Sequence, residues 1–156
     1  MATYGSRSSG AASWDQRSTA GWQDAVLLAA RVLLGAIFVQ SGFGKLTDIA
    51  GFAAGLEKMG VPMPYVAGLA GAVVEFFGGL AIVLGAWTGL AAILVAGFTV
   101  AATLIAHRFW EFPPEQQRMQ NIQFMKNVAI VGGLLALLAA GAGRYSVDGF
   151  RRRKEW

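Results

Sequence analysis

The sequence predicts an all-α integral membrane protein: an antiparallel four-helix transmembrane bundle with a short interfacial amphipathic helix between the first and second spans. Three observations carry that prediction. Of the 156 residues, 55% are apolar and only 14% are charged, whereas a soluble domain carries about 25% charged residues. The charges also avoid long stretches: Glu75 is the sole charge between Lys58 and Arg108, and none lies between Lys126 and Arg144. The apolar stretches run close to the ~20 residues that a ~30 Å hydrocarbon core requires. A disordered chain or a nucleic-acid-binding domain is excluded by the same composition.

Each element follows in order. Residues 1–22 are Ser, Gly, Ala and Thr with scattered Arg7, Asp15 and Arg17, a composition that buries too little apolar surface to fold. They read as a disordered cytoplasmic segment. The first span, 25–44, is too long for a secretory signal and lacks its small-residue cleavage site, so it is expected to stay as an anchor. Leu46, Ile49, Phe52 or Ala53, Leu56 and Met59 then recur at helical spacing, with Asp48, Glu57 and Lys58 off that stripe. This is the interfacial helix, opened by Thr47 or Asp48 as cap and closed by Gly60 and Pro62.

The second span, 66–86, meets the third, 87–107, through Gly85-Ala86-Trp87-Thr88-Gly89, a turn so tight that the two must form an antiparallel hairpin. Phe109-Trp110-Glu111-Phe112-Pro113-Pro114 supplies interfacial aromatics and a proline break before the fourth span, 122–142. Residues 23–145 thus make up the membrane domain, and residues 146–156 a basic cytoplasmic tail. Four spans put both termini on one side. That side holds seven Lys and Arg against five toward the loop side, and Arg151, Arg152, Arg153 and Lys154 cluster just after the last span. The positive-inside rule therefore predicts cytoplasmic termini, with the tail facing anionic lipid.

Several spacings are shared with a known family. The run Arg31-x3-Gly35-x2-Phe38-x2-Ser41-Gly42-x2-Lys45-Leu46, followed by Gly51-Phe52-x3-Leu56-x3-Gly60-x-Pro62, resembles the opening half of the DoxX family of small four-helix membrane proteins. Glu75-x2-Gly78-Gly79-Leu80-x4-Gly85, His107-x-Phe109-Trp110, Lys126-Asn127-x4-Gly132-Gly133 and Gly141-x-Gly143-x2-Ser146-x-Asp148 extend the likeness over residues 25–150. The resemblance implies a bacterial-type inner-membrane protein, from a family whose better-known members accompany quinone-linked oxidation of sulfur compounds or oxidative-stress assemblies. It brings no catalytic motif that transfers residue by residue, so the catalytic residues stay unknown.

The polar residues inside the spans are the candidate sites. Glu75 sits near the bilayer midplane, where a lone carboxylate costs ~2.5–3.5 kcal/mol even on insertion scales. Arg31, on the first span, is offset from it by ~7 Å if both spans start at the membrane surface, which predicts an Arg31–Glu75 pair. Such a pair reads either as a proton or substrate site or as a structural pin. Arg31, Gly35, Phe38, Gly42 and Lys45 share one helical face, as do Gly68, Gly71, Glu75, Gly78 or Gly79, and Ile82 on the second span. Gly35, Gly42, Gly71, Gly78 and Gly79 are the expected helix-packing positions.

At the loop-side ends of three spans, Gln40 and Lys45, His107, and Gln123 and Asn127 are expected to converge on a polar pocket, with Gln120 on the same face as the last two. The pocket would suit a quinone head group or a small anion; the same residues would otherwise be interfacial anchors and loop caps. A single histidine makes no bis-His haem site, no cluster has metal-ligand spacing, and zero cysteine removes disulfides and thiolate ligands from this chain. Three functions stay open: an accessory subunit of a quinone-linked or oxidative-stress redox assembly, with other membrane or peripheral redox proteins as partners; a small-solute carrier or channel, which at this size needs a homo-oligomer; and a purely structural anchor or assembly subunit. Whether the chain is itself an enzyme is undecided at this level. Nucleic acid is not an expected partner, and the lipid bilayer is.

Overall fold

A computed structural model describes the backbone of residues 11–154 and the side chains of residues 21–154. Among these residues the fold is all-helical: α1 (Ala11–Thr47), α2 (Ile49–Lys58), α3 (Pro64–Leu84), α4 (Thr88–Ala106), α5 (Pro114–Ala140) and α6 (Val147–Lys154), with a 3-10 turn at Phe109–Glu111. Four of the helices, α1, α3, α4 and α5, are long and apolar enough to cross a membrane.

Two boundaries differ from the sequence reading. α1 begins at Ala11, so helix reaches into the segment read as disordered, while residues 1–10 lie outside the described residues. No proline or glycine pair interrupts 11–25, and a helix already nucleated by the span elongates cheaply. α5 begins at Pro114 rather than near residue 122. Proline at the first helical position, Glu115 in the first turn and the helix formers that follow extend the helix past its apolar part, which hydropathy alone marks.

Local signals account for the other boundaries. Asp48 accepts a hydrogen bond from the Gly51 N–H at 3.0 Å and caps α2. The chain leaves α2 through Gly60 in the left-handed region, at φ +75°. The hairpin turn closes α3 with Ala86 N–H donating to Ala81 C=O at 2.9 Å and Gly85 N–H to Ile82 C=O at 3.1 Å, Gly85 having φ +67°.

The bundle is arranged by close backbone approach. α1 and α3 form the most intimate pair. A Cβ on Gly42 would lie 2.5 Å from the Phe76 nitrogen, one on Gly35 2.5 Å from Val83 Cγ2, and one on Gly79 2.8 Å from Phe38 Cβ. Gly78 meets Val95 of α4 and Gly71 meets Phe98 of α4 at similarly short range. Small residues are what allow such approach where lipid supplies no hydrophobic drive between helices. Phe38, Ile82, Val95, Leu134 and Leu137 fill the centre. α5 packs along α4 and touches α1 only lightly, while α2 lies across α3. Large apolar side chains such as Leu33, Phe77, Leu90 and Leu135 point outward, as a lipid-facing surface requires.

Candidate functional site

The same glycine contacts set the register between α1 and α3, and the register decides which charges meet. Gly42 is level with Phe76, and Gly35 with Gly79 and Val83. Lys45 is therefore about two residues, or ~3 Å of rise, from Glu75. Arg31 is level with Gly85, about ten residues or ~15 Å away. The expected Arg31–Glu75 pair does not form: Glu75 is ion-paired with Lys45. The offset used for Arg31 assumed that the first span starts at the membrane surface near residue 25. Instead α1 runs outward past that point and ends at Thr47, well short of the loop-side end of α3. α2 fills the step, with Phe52 and Leu56 packed against Gly68.

Lys45 and Glu75 border a cavity of about 570 Å³. The Glu75 side chain is 6% exposed and that of Lys45 24%, its exposed part turned to the cavity. The Lys45 ammonium lies 5.1 Å from the centre of the Phe52 ring and 5.6 Å from that of Phe98. A carboxylate and two ring faces thus compensate one cation in an otherwise apolar place. The remaining wall is mostly Ala and Ile from α1, α3, α4 and α5, with Phe52, Leu56 and Met59 contributed from the α2 side.

His107, Asn127 and Lys126 stand at the rim of this cavity. His107 ends α4, its N–H donating to Thr103 C=O at 2.9 Å, and its Nδ1 lies 2.8 Å from Gln120 Oε1. Asn127 Nδ2 donates to Thr103 Oγ1 at 2.8 Å, and Thr103 in turn donates to Thr99 C=O at 2.6 Å. His107 and Asn127 are thereby each held by a neighbour on another element. The structure does not bring in two of the five expected pocket residues. Gln40 is exposed on α1, and Gln123 accepts from Lys126 at 2.5 Å along the surface of α5. The site is a deep apolar cavity with a charged floor, not the polar outer pocket expected.

A second polar cluster occupies the opposite end of the bundle. Arg31 is fully buried, its Nη2 donating to Tyr145 C=O, its guanidinium lying where a side chain at Gly85 would go. Asp148 accepts from the Trp87 and Thr88 N–H groups and from Thr88 Oγ1, each at 2.9 Å, and so caps α4 from a distant part of the chain. Asp24 accepts from the Arg144 N–H at 2.7 Å. Burial pushes the Asp148 carboxyl up, but the hydrogen bonds from Thr88 and Trp87 and the nearby Arg151 charge outweigh it and hold it below its ordinary value. The tail expected at 146–156 is thus largely a docked helix, α6, stitched to the α3–α4 turn.

Sequence reasoning missed Phe52 and Phe98 as partners of Lys45, Thr103 as partner of Asn127, and the roles of Asp24, Tyr145 and Asp148. Asp148 had a signal, since a carboxylate ahead of a basic run is unusual beside a helix start that lacks its own cap at Trp87. Among the described residues, no three His, Cys, Asp or Glu side chains are grouped to hold a metal ion.

Comparison with known proteins agrees with this architecture. The sequence model of the DoxX family matches residues 26–108. Inner membrane protein YqjF of Escherichia coli (strain K12) is 36% identical over 135 residues, covering 85% of this chain and 96% of that protein. Inner membrane protein YphA of the same organism is 33% identical over 123 residues, covering 79% of this chain and 88% of that protein. No solved structure matches the chain.

Proposed function

Because the chain belongs to the DoxX family, we propose that it is a multi-pass inner-membrane protein that holds a lipid-soluble molecule with a hydrogen-bonding head group, a quinone by class, as an accessory subunit of a redox assembly. The observation that carries this reading is the Lys45–Glu75 pair facing a cavity of about 570 Å³ whose other walls are apolar. That volume lies within the ~300–1,000 Å³ usual for small-molecule sites, which are likewise apolar with a few placed polar groups.

The residues fit such a ligand. Lys45 at the floor and His107 and Asn127 at the rim offer hydrogen bonds to carbonyl oxygens, while Phe52 and Phe98 offer ring faces and Val74 and Ile105 an apolar wall. A bound quinone would supply the electron-accepting chemistry; the chain itself orients and desolvates the head group, and the ion pair with Glu75 holds the Lys45 side chain in place beside the cavity. Entry from the bilayer is favoured between α1 and α5, which line facing walls yet barely touch.

The test is retention. Purified gently from native lipid, the wild type should carry a quinone that mass spectrometry identifies. His107→Ala and Asn127→Leu should lower its occupancy several-fold, and Ala102→Phe, which fills the cavity, should abolish it without unfolding the bundle. Equal occupancy in all four proteins, or none in any, would remove the reading and leave the structural anchor in its place.

The orientation belongs to the same proposal: both termini cytoplasmic, Lys58 and Arg118 outside, on the weight of the basic cluster after the last span. With no native cysteine in the chain, single cysteines at 58 and 118 should react with an impermeant reagent from outside, and one at 155 only after lysis. The reverse pattern would invert the protein.

A further inference from the structure

The end of the bundle opposite the cavity carries a surface that ligand retention does not use. α6 is held in one place: Asp148 N–H donates to Gly85 C=O at 2.9 Å, its carboxylate caps α4, and Gly149 N–H donates to Ser146 Oγ at 2.9 Å. Gly149 is buried so closely that a Cβ there would lie 2.6 Å from the Gly143 carbonyl oxygen. These contacts fix which side of the helix is free. At 100° per residue, Val147, Phe150, Arg151 and Lys154 share one face, and Arg152 and Arg153 lie on the other side.

The first face is composed in a particular way. Phe150 is 59% exposed and Trp87, at the start of α4, is 66% exposed. The Arg151 guanidinium stands 5.0 Å from the Trp87 ring centre and the Lys154 ammonium 4.8 Å from that of Phe150. Among the described residues, neither cation has a carboxylate within 4.0 Å. Arg153, by contrast, is engaged with the Arg144 carbonyl at 3.2 Å. Two spans end at this level, so the rings and cations stand where hydrocarbon gives way to head groups.

We propose that this face of α6, together with Trp87, is a binding surface for anionic phospholipid head groups. Indole and phenyl rings favour the glycerol level of a bilayer, and guanidinium and ammonium groups just above them meet phosphate diesters. A soluble acidic partner would find the charges but would have to cover three bare aromatic rings, Trp87, Tyr145 and Phe150; a bilayer already covers them. The two cations on the ring face should carry the binding, and Arg152 and Arg153 should contribute less. That inequality separates a built surface from the diffuse attraction any basic segment has for acidic lipid.

The experiment uses the full chain in neutral detergent micelles, titrated with brominated phosphatidylglycerol or brominated phosphatidylcholine. Trp87 quenching is read as the difference from Trp87→Phe. The glycerol lipid should quench at lower concentration than the choline lipid. Arg151→Gln with Lys154→Gln should raise its midpoint by roughly fivefold for each cation, from the ~1 kcal/mol that a basic residue gains near an acidic surface. Arg152→Gln with Arg153→Gln should move it less, and 1 M salt, where the screening length falls to ~3 Å, should erase the wild-type preference. Equal quenching by the two lipids, equal effects of the two double variants, or a preference that survives 1 M salt would each overturn the proposal; the salt arm needs no variant to fold.

Discussion

The two ends of the bundle treat buried charge in opposite ways. At the terminal end, Arg31, Asp24 and Asp148 are met by backbone groups: Tyr145 C=O, Arg144 N–H, Trp87 N–H and Thr88 N–H. The two carboxylates are enclosed by chain that their own hydrogen bonds fix, while the Arg31 guanidinium makes one hydrogen bond, to Tyr145 C=O, and keeps Nε and Nη1 buried without a partner. At the loop end, Lys45 and Glu75 have chiefly each other and two ring faces, beside open volume. The lesson is that the closed end uses its charges to stitch segments together and encloses them, whereas the open end leaves its charged pair beside volume that something other than protein can fill. Function is sought at the second end because stability accounts for the first.

Breaking the closed end should cost most. Arg31→Ala removes a fully buried side chain, leaves the Tyr145 carbonyl without its donor and opens a cavity under Gly85. We expect a loss of about 3–5 kcal/mol, the range for large-to-small core substitutions with an orphaned polar group. Arg31→Met keeps the stem and should lose only about 1–2 kcal/mol. Chemical denaturation in detergent would rank them; equal losses would mean that the guanidinium, not packing, holds this end.

The open end should respond less. Glu75→Gln strands the Lys45 ammonium, but the ammonium keeps its two ring faces and some access to the cavity. A loss of about 1–3 kcal/mol is expected, and Glu75→Leu with Lys45→Met should recover much of it. Ligand occupancy should fall in both. If the double variant were as unstable as the single one, the pair would be a structural pin and the contrast between the ends would narrow.

How far this contrast was legible in the sequence depended on what each residue type reports by itself. Four spans, the interfacial helix with Asp48 as cap, and the tight hairpin at Gly85 all rest on local signals, and all match the fold. Gly35 and Gly42 were equally readable, since a face of small residues has few uses in a membrane. The partner of Glu75 was not readable. It depends on the stagger of α1 against α3, which is set by the Gly42–Phe76 approach and by α1 stopping short of the loop-side end, and hydropathy says nothing of stagger. The cavity was half readable for a related reason: Lys45, His107 and Asn127 lie where helix ends converge, but Gln40 was grouped with them by depth alone, which says nothing of the side a residue faces, and Gln123 by a face shared with Asn127 that is wide enough to run onto the surface. Asp148 stood in a stretch read as tail, because its partner, the uncapped start of α4, lies 60 residues away.

The smallest effect expected is also the one most specific to the closed end. Asp148→Asn keeps the shape and one acceptor oxygen of the cap but removes its charge, so at least one of the three hydrogen bonds from Trp87 and Thr88 is lost and the others lose their ionic character. The cost should be about 1 kcal/mol at neutral pH, as for other helix caps. Its pH dependence has a fixed sign. Because Asp148 is held below its ordinary carboxyl value, the unfolded chain binds the proton more readily than the folded one. The stabilisation is therefore complete above the ordinary value of ~3.9 and is lost as pH falls below it toward the folded value. The gap between wild type and Asp148→Asn should stay constant from pH 7 to about pH 5 and then close with acid. Thermal unfolding of Asp148→Asn and wild type across that range decides it: a gap that is flat to the most acid point would mean that the carboxylate charge contributes nothing to holding α6, and that the closed end is held by Arg31 and glycine packing alone.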